Sequence, residues 1–347
     1  MNRALLLGAL GVGGYLAYRA LKQRYDFHNK HVVITGGSRG LGLVLARQFA
    51  DAGARLSICS RDANELARAV GDLAAHGARI VAIECDVTER HRVREFVAVA
   101  RQRNGPVDVL INNAGVIRVG PTEEMLEEDF EQSLQTHFWA ALHTILEVVP
   151  EMKARGAGRI VNITSLGGKI AMPHLLPYTA GKFALVGLSQ GLRVELTRHG
   201  IVVTTVCPGL MRTGSHLNAE FKGRHEEEYA WFALGNAIPG FSMSAESAAC
   251  KILAACACGD AEVVLGLPTK LAVMTQALCP NLMAAILECV NRQVLPEPGG
   301  IGTAVAKGRD SRGQLSETVT ALTDRAAARN NELHAANVPP PLPVHRK

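Results

Sequence analysis

Three side chains near the middle of the chain could do chemistry together: Ser165, then Tyr178 and Lys182 in the run Tyr178-Thr179-Ala180-Gly181-Lys182. A phenol normally holds its proton to about pH 10, so tyrosine is a poor acid–base catalyst near neutrality unless a neighbouring cation lowers its pKa. On a helix, Lys182 sits one turn from Tyr178 on the same face, where its ammonium can do that. Combined with a glycine-rich turn near the start of the chain, Thr35-Gly36-Gly37-Ser38-Arg39-Gly40-Leu41-Gly42, these are the parts of a nicotinamide-dependent carbonyl/alcohol oxidoreductase.

The elements that must position them are legible as alternation. His31–Thr35 reads as a strand, the glycine turn follows, and Leu43–Phe49 reads as the helix it opens. Further β-rich runs begin at Arg55, Arg79, Val107, Arg159, Ile201 and Ala261, nearly all separated by amphipathic helical stretches. This predicts an α/β fold, a doubly wound parallel sheet of Rossmann type with ligands at the carboxyl ends of the strands. In that setting the turn's backbone N–H groups and the helix N-terminus can hold a pyrophosphate through Gly36, Ser38, Gly40, Leu41 and Gly42.

The second strand ends in Ser60-Arg61, where an acidic residue would hold a ribose 2′-hydroxyl. Arg39 and Arg61 instead favour a 2′-phosphate, hence NADP(H) over NAD(H); two arginines merely solvated at loop ends is the bland alternative. Asp86, before Val87 at the end of the third strand, can accept from the adenine amino group. Asn113, Ala114 and Gly115 close the fourth strand; small residues there let the backbone approach the cofactor, and Asn113 serves equally well as a hub tying strands together.

Thr35-Gly36-x-x-x-Gly40-x-Gly42, Asn112-Asn113-Ala114-Gly115, Ser165, Tyr178-x-x-x-Lys182 and Pro208-Gly209 together resemble the short-chain dehydrogenase/reductase family, in its order and near its spacings, over roughly His28 to Gly266. The resemblance implies that Tyr178 is the general acid in carbonyl reduction and the base in reverse. It implies that Lys182 lowers the phenol's pKa and bonds the nicotinamide ribose, and that Ser165 hydrogen-bonds the substrate oxygen. Pro208 and Gly209 would bracket the nicotinamide, with Thr213 touching its carboxamide or the phosphates. The sequence departs from the family at His137, which stands where a relay asparagine is usual. Either His137 takes over the relay, adding a pH dependence below about 6.5, or it fills space on a buried helix.

Leu166, Gly167, Gly168, Met172, Leu175, Leu176, Leu210 and Met211 make the expected walls apolar, which favours a lipid-, steroid- or retinoid-like ketone, aldehyde or alcohol. The stretch from Pro208 to Pro239 reads as an insertion, placed at about 210–240. It is a lid over such a substrate, a dimer contact or a surface helix; its Glu226-Glu227-Glu228 run reads as a solvated face. An oxidative lipid alcohol dehydrogenase and a non-catalytic NADPH-binding membrane scaffold or sensor are the competing functions.

The 347 residues are 48% hydrophobic and 20% charged, enough for one large domain plus appendages. The net charge of +5 is spread without aromatic-interleaved basic blocks, which argues against a nucleic-acid partner. Eight cysteines lie in apolar runs without zinc spacing, so they read as reduced, buried hydrophobes in a cytosolic compartment, with no metal site. Residues 1–25 contain an uncharged apolar stretch followed by Arg19, Lys22 and Arg24. They are expected to form an anchor or interfacial helix with the catalytic domain, 26–266, in the cytoplasm, or else to pack on that domain. An apolar helical extension, 267–297, would dock on the membrane or cover a sheet edge or dimer interface. Residues 298–347 are expected to be mostly disordered with one helix around Ser316 to His334. A homo-oligomer is compatible with the helices.

Overall fold

A computed structural model describes residues 24–238, 240–313 and 317–333. The apolar N-terminal stretch and everything from 334 onward lie outside the described residues. Seven strands, β1 (His31–Thr35), β2 (Arg55–Ser60), β3 (Arg79–Glu84), β4 (Val109–Asn112), β5 (Gly158–Ile163), β6 (Ile201–Pro208) and β7 (Glu262–Leu265), form one parallel sheet. Their order is β3-β2-β1-β4-β5-β6-β7, so strand order reverses between β1 and β4 and a crevice opens at their carboxyl ends.

Helices cover both faces, which is why the central strands are apolar throughout rather than alternating. On one face pack α1 (Gly40–Asp51), α2 (Ala63–Ala75) and, later in the chain, a helix at Ala245–Cys258. On the other lie α3 (Arg90–Asn104), α4 (Ala140–Arg155) and α5 (Leu176–Thr197). Val32, Val33 and Ile34 of β1 are fully buried between them, each contributing roughly 1.5–3 kcal/mol of apolar burial. Local signals agree with the packing: the Asp62 carboxylate caps α2 by accepting from the amides of Asn64 and Glu65, and α4 ends at Gly156 in the left-handed conformation.

The stretch read as a lid, a dimer contact or a surface helix is an ordered subdomain. Glu220–Phe221 pairs in parallel with Arg118–Val119 and antiparallel with Ala306–Lys307, and the helix His225–Ala237 packs beside them with Phe221, Tyr229 and Phe232 buried. Glu226–Glu228 is not all solvated: Glu228 is fully buried, accepting from Trp231 Nε1 at 2.6 Å and lying 2.7 Å from His174 Nδ1.

The expectation of a mostly disordered tail also fails within the described residues. Ala306–Lys307 completes that small sheet, and the one helix expected around Ser316 to His334 is present at Glu317–Arg329, packed on His225–Ala237. The buried face of that helix holds Thr320, Thr323, Ala326 and Ala327. Small residues pack closely but give no apolar run, so their burial does not show in composition. The cysteines divide too: Cys59, Cys85, Cys207 and Cys256 are buried, Cys258 is half-buried, and Cys250, Cys279 and Cys289 are exposed. Cys279 joins the helices Leu267–Leu278 and Pro280–Gln293 and Cys289 lies on the second; their apolar residues face outward at Leu271, Met274, Leu278, Leu282 and Ile286. No described helix is long and apolar enough to cross a membrane.

Candidate active site

Every residue assigned above to catalysis or cofactor binding lines one cavity of ≈ 590 Å³ at the carboxyl ends of the strands. Its cofactor end is built on Thr35, the last residue of β1. The Thr35 hydroxyl accepts from the amides of Asn113 (3.0 Å) and Ala114 (3.1 Å), and the Asn113 side chain donates to the carbonyls of Thr35 (3.1 Å) and Gly36 (3.0 Å). Of its two readings, Asn113 is therefore the hub that ties the glycine turn to β4.

The turn needs its glycines. Gly36 and Gly40 have φ of +64° and +54°, and a Cβ on Gly42 would stand 2.0 Å from the Gly36 carbonyl oxygen. This cradle, opening onto the N-terminus of α1, fits the diphosphate of a dinucleotide. Arg61 is 59% exposed at the end of β2, 3.9 Å from Asp86, placed to meet a 2′-phosphate. Arg39 is not so placed: its guanidinium donates to Glu65 (2.8 Å) and Asn218 (3.1 Å). Asp86 accepts from the amide and hydroxyl of Thr88 (2.9 and 2.7 Å), and Thr213 accepts from the Ser215 amide.

At the chemical end, Ser165 follows β5 and its hydroxyl accepts from the Gly167 amide at 3.0 Å. Lys182 is buried and donates to the Ile163 carbonyl at 3.0 Å, with Nζ 5.6 Å from the centroid of the Tyr178 ring. The expected lowering of the Tyr178 pKa by Lys182 is not found. Burial pushes the phenol up to about 12, opposed by its hydrogen bond with Ser165, while burial pushes the Lys182 ammonium down to about 7.

His137 lies in a π-helical turn, Gln135–Trp139, that displaces its side chain into the cavity. Its Nε2 donates to the Val116 carbonyl at 2.9 Å, which leaves Nδ1 as an acceptor, buried without a protein partner. Burial and nearby Lys182 hold its pKa well below the usual value, so any pH dependence from this group falls well below 6.5.

Leu166, Gly167, Met172, Leu175, Leu210 and Met211 line the cavity as expected, whereas Gly168 and Leu176 do not. Trp231 and Phe232 of the aromatic insertion complete the apolar wall, whereas the sequence reading missed polar lining residues that include Asn218, Lys307 and Glu332. The two from the C-terminal extension carry no local signal, because only the fold brings them to the site.

A glycine cradle at the sheet's crossover point, continuous with a serine, tyrosine and lysine on one wall, defines a dinucleotide-dependent oxidoreductase of the doubly wound α/β class. The sequence profile of the short chain dehydrogenase family matches residues 30–222, and the chain belongs to that family. It is 40% identical over 183 residues to a Streptomyces violaceoruber protein named as a ketoacyl reductase of granaticin polyketide synthase, covering 52% of this chain and 67% of that one. Among solved structures, it resembles an actinorhodin polyketide ketoreductase variant with NADPH at 29% identity, TM-score 0.61, covering 69% of this chain and 95% of the other. It also resembles a gluconate 5-dehydrogenase from Burkholderia cenocepacia in complex with NADP and tartrate at 25% identity, TM-score 0.63, covering 72% and 98%.

Proposed function

We propose that this enzyme uses NADP(H) to reduce the carbonyl of an apolar small molecule, of lipid, steroid or retinoid type. The observation that carries the reading is the continuity of one cavity: glycine cradle and Arg61 at one end, Ser165, Tyr178 and Lys182 in the middle, and Met172, Leu175, Leu210, Trp231 and Phe232 beyond them. When bound, the nicotinamide supplies the hydride in reduction and takes it in oxidation.

The protein's part is proton management at the substrate oxygen. Tyr178, its pKa pushed up to about 12, holds its proton at neutral pH and gives it to that oxygen as negative charge develops there. Ser165 donates a second hydrogen bond to the same oxygen. Lys182, near half-charged at neutrality because its pKa is about 7, exchanges protons readily and can restore the phenol. A Cβ on Gly115 would stand 3.4 Å from His137 Nδ1 and 3.8 Å from Lys182 Nζ. The absence of a side chain there keeps space between the two groups, room in which Nδ1 can accept from a water and so extend a proton path from Lys182.

The outward-facing Leu271, Met274, Leu278, Leu282 and Ile286 support docking of Leu267–Leu278 and Pro280–Gln293 on a membrane surface, with the catalytic domain in the cytoplasm. Trp139, Leu146 and Phe183, exposed on or beside α4 and α5, support a homo-oligomer. The function is tested by following NADPH and NADH oxidation over a panel of steroid, retinoid and long-chain carbonyls beside polar sugar acids. Turnover of apolar carbonyls with NADPH, with the NADPH preference reduced about tenfold or more in Arg61→Ala, is the expected result. Turnover confined to the sugar acids contradicts the substrate class, and preference for NADH contradicts the cofactor.

A further inference from the structure

The C-terminal extension reaches the glycine turn with a set of hydrogen bonds that fixes three consecutive residues. The Asn330 carbonyl accepts from the Gly40 amide at 2.9 Å, the first N–H of α1. The Asn331 side chain donates to the carbonyls of Ser38 (2.8 Å) and Glu65 (2.9 Å) and accepts from Arg68 at 2.6 Å. Glu332 is buried, its carboxylate accepting from the Gly214 amide, and its own amide donates to Ala327 at 3.0 Å. Arg47 holds the approach, donating to the Arg329 carbonyl (2.8 Å) and the Asn330 side chain (2.9 Å).

The place Glu332 occupies is the relevant fact. A Cβ on Gly40 would come within 3.1 Å of Glu332 Oε1, and a Cβ on Gly214 would stand 2.6 Å from Glu332 Cβ. The carboxylate therefore fills the hollow between the glycine turn and the segment after β6, next to Thr213. That hollow is where a diphosphate would meet the N-terminus of α1. The α1 N-cap, Arg39, provides no side-chain cap, and there is no acidic residue in the first helical turn, so the tail supplies the acceptors that this helix end lacks.

We propose that Asn330–Glu332 is an internal occupant of the diphosphate subsite, a carboxylate standing in for a phosphate, and that NADP(H) binds only as these residues leave. The proposal rests on the cofactor reading above. The Glu332 side chain and a diphosphate cannot occupy the same hollow, so the docked tail and the cofactor exclude each other. Arg47 and Arg68 hold the docked tail without forming the hollow's floor, so the tail can leave with the glycine turn intact. Its undocked state is the competent one, so the apparent Kd for cofactor is the intrinsic Kd divided by the fraction of molecules in that state.

The test uses the full chain, Glu332→Ala and Asn331→Ala, with NADPH binding followed by its fluorescence and the tail followed by amide hydrogen exchange at 327–333. The expected result is tighter NADPH binding in both variants, by about tenfold or more in Glu332→Ala, and loss of exchange protection at the tail when NADPH is added to the unaltered protein. Unchanged or weaker NADPH binding in both variants, or protection that rises with NADPH, overturns the proposal and makes the tail a bystander or a clamp on the cofactor. Absence of NADPH binding in all three proteins overturns the cofactor reading itself, and the proposal with it.

Discussion

The imidazole of His137 meets the ring of Tyr178 edge to face, with centroids 5.3 Å apart and planes at 89°. This contact and the bond from Nε2 to the Val116 carbonyl fix the tautomer, so that Nδ1 is a permanent acceptor rather than a group that titrates near neutrality. His137→Phe keeps the packing and removes the acceptor. It is expected to lower kcat by about 10- to 100-fold, within the range of a proton-transfer contribution, with NADPH binding unchanged. His137→Asn, which can still accept a hydrogen bond, is expected to recover most of the loss. Equal rates in all three proteins over pH 5.5–8 contradict a relay role.

Lys182 makes a pH signature in stability. Its folded-state pKa is lowered from 10.5 to about 7, so between those values the unfolded chain holds the proton more often than the folded one. Stability attributable to this group therefore rises with pH above about 7, by up to roughly 1.4 kcal/mol per pH unit. Thermal melts of the protein and Lys182→Met from pH 7 to 9.5 should diverge in that sense; parallel curves contradict the burial argument. Tyr178, raised from 10.0 to about 12, begins to contribute in the opposite sense only above about pH 10.

Asn113 is expected to matter through the backbone it ties. Asn113→Ala leaves the buried carbonyls of Thr35 and Gly36 without their donor, at a cost of about 1–3 kcal/mol. A lower Tm together with weaker NADPH binding is the expected outcome. A fall in binding with no change in Tm would mean that Asn113 contacts the cofactor directly.

Glu332 gives the tail its own pH dependence. Burial raises its pKa from 4.5 to about 7, and Glu65 adds to this, while Arg39 and the Gly214 amide oppose it. The docked state thus holds the protonated acid. The resulting stabilisation of docking is fully present below about pH 4.5 and lost as pH rises through 7. Exchange protection at 327–333 is expected to fall between pH 6 and 8, and Glu332→Gln is expected to abolish that fall. A protection profile that is flat with pH contradicts it.

Much of this site could be read from the sequence because its requirements are local. A turn that holds Gly36 and Gly40 at positive φ demands glycine, and Tyr178 and Lys182 share a helical face at a spacing of four. What escaped was set by burial or by distant chain. The Lys182 pKa depends on desolvation that no spacing reveals, and Asn331 meets Ser38 across 293 residues. Ala326 and Ala327 bury a helix face without the apolar run by which such faces are usually recognised. Cys279 and Cys289 show the converse error, since the apolar helix pair that Cys279 joins and that contains Cys289 turns outward.

The most direct test of the account is NADPH-dependent carbonyl reduction by the protein and by Tyr178→Phe, with NADPH affinity measured in both. Loss of turnover by about 10²-fold or more with affinity unchanged is the predicted result. Equal turnover in the two proteins, or NADPH binding without turnover of any carbonyl or alcohol in either, contradicts the central claim that Tyr178 performs the proton transfer in this cavity.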